Sequence, residues 1–136
     1  GAEVQVGLPG LGVLRGRLRD CGSQWLLVSE PGGAEVWVPL AAVVWLGGLT
    51  AYSGTAGPGV VAARLGIGSA LRAIARDRSL VSVWLTDGST VSGVIDRVGA
   101  DFLELRSDAG GELPRRERAG VRTLATAAVV AIRRDG

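Results

Sequence analysis

Three arginines alternate along one short stretch of the chain and are its strongest candidates for chemistry. Arg15, Arg17 and Arg19 occupy every second position, so in a strand their side chains point to one face. Their guanidinium groups would then lie about 6.6–7 Å apart. This spacing suits contacts to a phosphate backbone, and we expect the row to be a candidate nucleic-acid surface. The alternative is a solvated strand face with no ligand.

A second group of arginines lies in a glycine-containing loop. Arg115, Arg116 and Arg118 could bind phosphate or an acidic protein surface there. Glu112 and Glu117 partly neutralise the positive charge of this loop, so a solvated loop without a ligand is the alternative interpretation.

The chain offers little for catalysis. It has no histidine, one cysteine and no acid pair in a repeated position, which excludes a credible nucleophile and base or a set of metal ligands. Gly10, Gly12 and Gly16 mimic a dinucleotide-binding pattern, but that pattern requires a helix at the second glycine. Residues 13–18 alternate with period two instead. We therefore expect no enzyme, no cofactor and no metal.

The composition allows an anionic partner without requiring one. All 15 basic residues are arginine, against 13 acidic residues, for a net charge of +2. Arginine in place of lysine, with abundant alanine and glycine, indicates a GC-rich bacterium. The apolar runs fall short of the roughly 18 residues of a membrane span, and the chain opens without a secretory signal, so we expect a cytoplasmic protein without a membrane partner.

The same pattern of apolar residues and glycines occurs twice along the chain. Residues 4–28 align with 81–105 at an offset of 77, and residues 38–46 align with 124–132 at an offset of 86. Alternating apolar residues and turn signals predict five short strands in each copy. The aligned Gly16 and Gly93 mark a bend or a close approach between strands.

The repeat divides the chain into three parts. We expect a first unit at residues 1–48, a glycine-rich linker at 49–68, and a second unit at 69–136. The second unit opens with a short amphipathic helix, for which Ser69 is the predicted N-cap.

A helix followed by five strands with a glycine in the second resembles the Sm-like fold. The second copy is most similar to the bacterial Hfq branch, through Ala73–Leu85, Gly88–Ile95 and Thr126–Ile132. The resemblance implies a mainly β protein with two tandem Sm-like five-stranded small barrels, an RNA ligand and oligomerisation. The base-reading residues of the family are not carried over, because Gly99, Ala100 and Leu103 stand at the expected polar positions.

The resemblance also implies an interface, because Sm-like proteins pair their last strand with a neighbour's fourth strand. Trp45 lies in the last strand of the first copy, where we favour an interface over base stacking. Trp37 and Trp84 have no aromatic counterpart in the other copy, so we expect them at the surface or between the copies. The candidate interface residues are Val43, Val44, Trp45, Leu46, Val129, Val130 and Ile132.

Two functions are consistent with these patterns. The first is a non-enzymatic tandem Sm-like protein that binds RNA or another nucleic acid through arginine contacts to the backbone. The second is a protein-interaction or assembly scaffold that uses its edge strands and has no nucleic-acid ligand, since one fold serves both purposes. Self-association or another protein partner is expected in either case. Acidic residues that interrupt the arginine surface would favour the scaffold.

Overall fold

The computed structural model describes residues 2–48, 67–107 and 120–135. The first copy contains five strands, at the positions that the alternation of apolar residues predicts. Residues 13–18 are extended, which confirms that the glycine pattern near Gly10 does not open a helix. The strands are β1 (Glu3–Leu8), β2 (Gly12–Cys21), β3 (Trp25–Ser29), β4 (Glu35–Pro39) and β5 (Trp45–Gly47).

The second copy repeats this order after a helix. A short 3-10 turn connects its last two strands at Thr126–Ala128, as another does in the first copy at Leu40–Ala42. Its elements are α1 (Ile67–Asp77), β6 (Leu80–Leu85), β7 (Thr90–Val98), β8 (Phe102–Ser107), β9 (Val121–Ala125) and β10 (Val129–Arg134).

The helix α1 begins earlier than predicted. It starts at Ile67, so Ser69 lies inside the first turn and is not the N-cap, and the predicted linker ends before residue 68. A capping residue is worth only about 1 kcal/mol, which packing of the helix can outweigh. Leu71 and Ile74 are buried on its inner face, against β7. The rest of the predicted linker, 49–66, lies outside the described residues.

All ten strands form one antiparallel sheet, which is open within the described residues. Its order is β5-β1-β2-β3-β4-β10-β6-β7-β8-β9. Within each copy, the strands therefore lie side by side in the order fifth, first, second, third and fourth. The copies meet where β4 pairs with β10. We call this pairing the internal junction.

The register of the strands repeats residue for residue. Val4 lies opposite Gly16 as Val81 lies opposite Gly93, and both second strands carry a bulge at the equivalent place. This confirms the prediction that Gly16 and Gly93 are equivalent. The reason for glycine is a close approach, since a Cβ would collide with the carbonyl oxygen of Ser29 at Gly16 and of Arg106 at Gly93.

The two copies share their cores across the internal junction. Val130 and Ala131 of β10 are buried with the residues of the first copy, and Trp84 packs against them. Trp25 and Trp37 of the first copy are buried with the residues of the second. Burial of apolar area at this junction stabilises the two copies as one unit. None of the described helices is long and apolar enough to cross a membrane.

Candidate functional site

The arginine row lies on the exposed face of β2. Arg15, Arg17 and Arg19 are all exposed, while Leu14 and Leu18 between them are buried. This is the one-sided arrangement that the period of two predicts.

An acid interrupts the row. Arg17 lies opposite Glu3 in the β1–β2 register, and its Nε is 3.2 Å from Glu3 Oε1. Within the described residues, Arg15 and Arg19 have no ion-pair partner. An exposed pair such as Arg17–Glu3 contributes only about 0–1 kcal/mol to stability, yet it neutralises the middle of the row.

The second copy carries mixed charge on the equivalent strand. In β7 the corresponding positions are Ser92, Val94 and Asp96, and Asp96 pairs with Arg106 at 3.0 Å. The arginine surface is therefore not repeated. The loop arginines Arg115, Arg116 and Arg118 lie outside the described residues, so their place relative to β2 stays a prediction.

The internal junction brings together part of the predicted interface. Val129, Val130 and Ile132 of β10 are all buried there. Ile132 lies opposite Trp37 in the β4–β10 register. Val129 and Ile132 face the core of the second copy, and Val130 faces that of the first.

Arg134 ties the junction together. Its guanidinium hydrogen bonds to Glu35 at 2.5 Å and to Asp77 at 2.7 Å, and it stacks over the Trp37 ring at 5.0 Å. The hydrogen bond to Glu35 raises the pKa of Arg134, and Asp77 adds to this effect although burial opposes it. Arg134 thus joins β4, β10 and α1.

Arg133 makes a less regular contact. Its Nε lies 2.8 Å from Glu30 Oε1, which is an ion pair, but the two atoms are not aligned for a hydrogen bond. The sequence alone gives Arg133 and Arg134 little weight, because Asp135 offsets their charge and their partners Glu30 and Glu35 are about a hundred residues away along the chain. The unmatched Trp37 and Trp84 and the apolar last strand of the second copy were the signals of a contact between the copies.

The remaining interface candidates lie at an outer edge of the sheet. Val43 and Val44 precede β5, and Trp45 and Leu46 lie in it. Val44 is 67% exposed and Trp45 is 44% exposed. The Trp45 indole lies over Gly7 of β1, where a Cβ would collide with it. At the opposite end of the sheet, β9 presents Val121, which is 43% exposed. In the described part of the chain, no strand pairs with the outer side of β5 or β9.

A cavity and a thiol lie in the described part of the chain apart from the arginine row and the junction ion pairs. The cavity, of about 490 Å³ beside α1, is lined mainly by tryptophan, arginine and aspartate side chains, together with Ser69. Cys21 is half-buried, and burial raises the pKa of its thiol, with a smaller effect from Asp20. A thiol with a raised pKa is a poor nucleophile near neutral pH.

Comparison with known proteins gives no family for this chain: no family model matches it, and no curated protein matches its sequence.

Proposed function

We propose that this chain is a non-enzymatic assembly module, built from two Sm-like units, that recruits further strands at the two outer edges of its sheet. The observation that carries the proposal is the internal junction. There the chain pairs a fourth strand with a fifth strand of the other copy. It leaves one fifth strand, β5, and one fourth strand, β9, with outward edges in the described region.

The character of these edges supports the proposal. Unpaired strand edges present backbone donors and acceptors and are usually protected by charge or by a covering element. Here the exposed large apolar residues Val44 and Trp45 lie at the β5 edge and Val121 lies at the β9 edge. Apolar side chains at an open edge favour the addition of a strand.

The Sm-like part of the proposal rests on topology. Each copy has the strand order fifth, first, second, third and fourth. Each second strand combines a glycine at a close approach with a bulge, which are the features that curl a small sheet toward a barrel. The helix α1 leads directly into the second copy.

Nucleic-acid binding is the second candidate. The observation in its favour is that Arg15, Arg17 and Arg19 are exposed on one face of β2. The Arg17–Glu3 ion pair and the acidic Asp96 at the equivalent position of β7 weaken it relative to assembly.

The assembly function is tested by light scattering over a wide range of concentration. We expect the wild-type mass to exceed the 13.9 kDa of one chain and to fall on dilution. The variants Trp45→Glu and Val121→Glu should shift the mass toward one chain, because they place a charge at an edge.

Leu80→Glu is the matched control for these variants. Leu80 is 54% exposed but lies in β6, which is paired on both sides. This variant should behave as the wild type. A single-chain mass for the wild type at every concentration would refute the assembly function, and so would edge variants that associate as the wild type does.

A further inference from the structure

The cavity beside α1 is lined by residues of both copies, where the helix lies over the internal junction. The first copy contributes Asp20 of β2, Trp25 of β3 and Trp37 of β4, and the second contributes α1 and Arg134 of β10. Its volume of about 490 Å³ lies within the range of sites that bind small molecules, about 300–1,000 Å³. The cavity is therefore large enough for a small organic ligand.

The part of the cavity nearest the core is apolar and aromatic. Ala70 and Ile74 line it from the helix, and Trp25 and Trp37 line it from the sheet. Both tryptophans are otherwise buried. Aromatic side chains pack favourably against a second ring in offset or edge-to-face arrangements. This wall thus suits the ring of an aromatic molecule.

The pair of tryptophans is specific to the junction. The register of the strands places Phe102 of the second copy at the position of Trp25, and Thr123 at the position of Trp37. The second copy forms its third and fourth strands without a second aromatic residue there. The fold of one copy therefore does not require Trp37, whose place at the cavity gives it a separate use.

Two arginines stand beside this wall without an acidic partner. Arg72 and Arg76 both line the cavity, are exposed, and lie one helical turn apart on α1, so their side chains are neighbours. Neither forms an ion pair within the described ranges of the chain. A guanidinium group binds a carboxylate or a phosphate through two parallel N–H donors. The two arginines together are thus suited to hold one anionic group.

The other charged groups at the cavity already have contacts. Asp77 accepts a hydrogen bond from Arg134 at 2.7 Å, and Arg134 also donates to Glu35. Asp20 accepts a hydrogen bond from the backbone N–H of Cys21 at 2.8 Å. The two guanidinium groups on the helix outnumber this one carboxylate that is not paired with an arginine. The cavity therefore favours an anion over a cation.

We infer that this cavity binds a small aromatic anion, with its ring against Trp25 and Trp37 and its carboxylate or phosphate held by Arg72 and Arg76. The site is separate from both outer edges of the sheet, so it adds a ligand to the assembly function. Because both copies line the cavity, a bound molecule stabilises the state in which the copies are joined.

Titration with naphthoate, at constant protein concentration, tests the site. The four tryptophans are followed through the nuclear magnetic resonance signals of their indole N–H groups. We expect saturable binding that shifts the signals of Trp25 and Trp37 and leaves that of Trp45, at the β5 edge, unchanged. Naphthyl phosphate should bind at the same place, and the tighter of the two ligands shows which anionic group the arginines prefer. The neutral amide of naphthoate should bind at least about tenfold more weakly.

Two variants remove the two halves of the site. Replacing Arg72 and Arg76 together by Gln should weaken naphthoate binding at least about tenfold. Ala73→Phe should abolish binding although it keeps both arginines, because Ala73 lines the cavity and the larger side chain fills it. Ala73 is exposed on α1, so this change does not disturb the core.

Replacing Arg15 and Arg19 together by Gln is the matched control. It removes the same charge from the exposed face of β2, whose arginines do not line the cavity, and should leave naphthoate binding unchanged. Equal loss of affinity in the β2 and helix variants would overturn the site, because binding would then follow net charge alone.

The remaining outcomes also decide the inference. Saturation without shifts at Trp25 and Trp37 would overturn the site, and octanoate that binds as tightly as naphthoate would overturn the aromatic class of ligand. These results are independent of the mass measured by light scattering. The ligand site and the assembly function are therefore tested separately.

Discussion

Single side chains fix how the two copies are joined. Arg134 contacts Glu35 of β4 and Asp77 of α1 while its guanidinium covers Trp37. It is 22% exposed, so these contacts are partly shielded from solvent. Removal of one partner from such a pair leaves a half-buried charge uncompensated, which is the costly part of a buried ion pair. Arg134 is thus a position at which the relation between the copies is set.

Gly16 and Gly93 should not tolerate a side chain. We expect Gly16→Ala and Gly93→Ala each to lower the free energy of unfolding by about 1–3 kcal/mol, because the added methyl group collides with a backbone carbonyl of the neighbouring strand. Denaturation in urea measures the change.

Gly32→Ala is the control for these variants. A Cβ at Gly32 meets nothing within 4 Å, so this substitution should be neutral or slightly stabilising. Equal effects at Gly16 and Gly32 would contradict the close approach.

The repeat aligns Gly16 with Gly93, and this predicted a bend or a close approach between strands at both. It leaves Trp37 and Trp84 unmatched, and this predicted that they lie at the surface or between the copies. The sequence alone did not predict which acidic residues pair with these arginines. Glu3 meets Arg17 through the register of two strands, and Glu35 meets Arg134 through a pairing between the copies. Neither pairing is encoded in local spacing.

At the scale of elements, β2 carries the surface that distinguishes the two candidate functions. Replacing Arg15, Arg17 and Arg19 together by Gln tests it. If nucleic acid binds there, affinity for labelled single-stranded RNA should fall similarly across sequences. The log–log salt slope should flatten by about 2, at about 0.7 for each phosphate contact.

A charge-matched control separates this surface from net charge. Arg72, Arg76 and Arg78 are also exposed but lie on and just after α1, and replacing them by Gln should leave the slope unchanged. Unchanged binding by the β2 variant, with its fold intact by circular dichroism, would reject the surface. Failure of the wild type to bind at about 50 mM salt, where screening is weak, would also reject it.

Strands with one buried face, such as β2, were predictable from the alternation of apolar residues, since a period of two follows directly from the geometry of a strand. β4 and β10 are buried on both faces and do not alternate, so only the repeat and the turn signals predicted them. The start of α1 was not predictable to the residue, because Ser69 is a good N-cap in isolation but the helix extends back to Ile67.

At the scale of the whole molecule, the described strands form one sheet with two different ends. Local patterns predict strands but not which strand joins the copies, because the β4–β10 pairing depends on contacts far apart in the sequence. That pairing makes the chain directional, with β5 at one end and β9 at the other. A directional unit with matched ends is suited to repeated addition of like units.

The most direct test of assembly through the edges is amide hydrogen exchange in β5 and β9 at low and at high protein concentration. Amides that face outward from an unpaired edge exchange quickly, whereas amides paired with a second strand are protected. We predict that Trp45–Gly47 and Val121–Ala125 gain protection together as the concentration rises, and that Trp45→Glu abolishes the gain at both edges. Exchange in both strands that is independent of concentration would contradict the account.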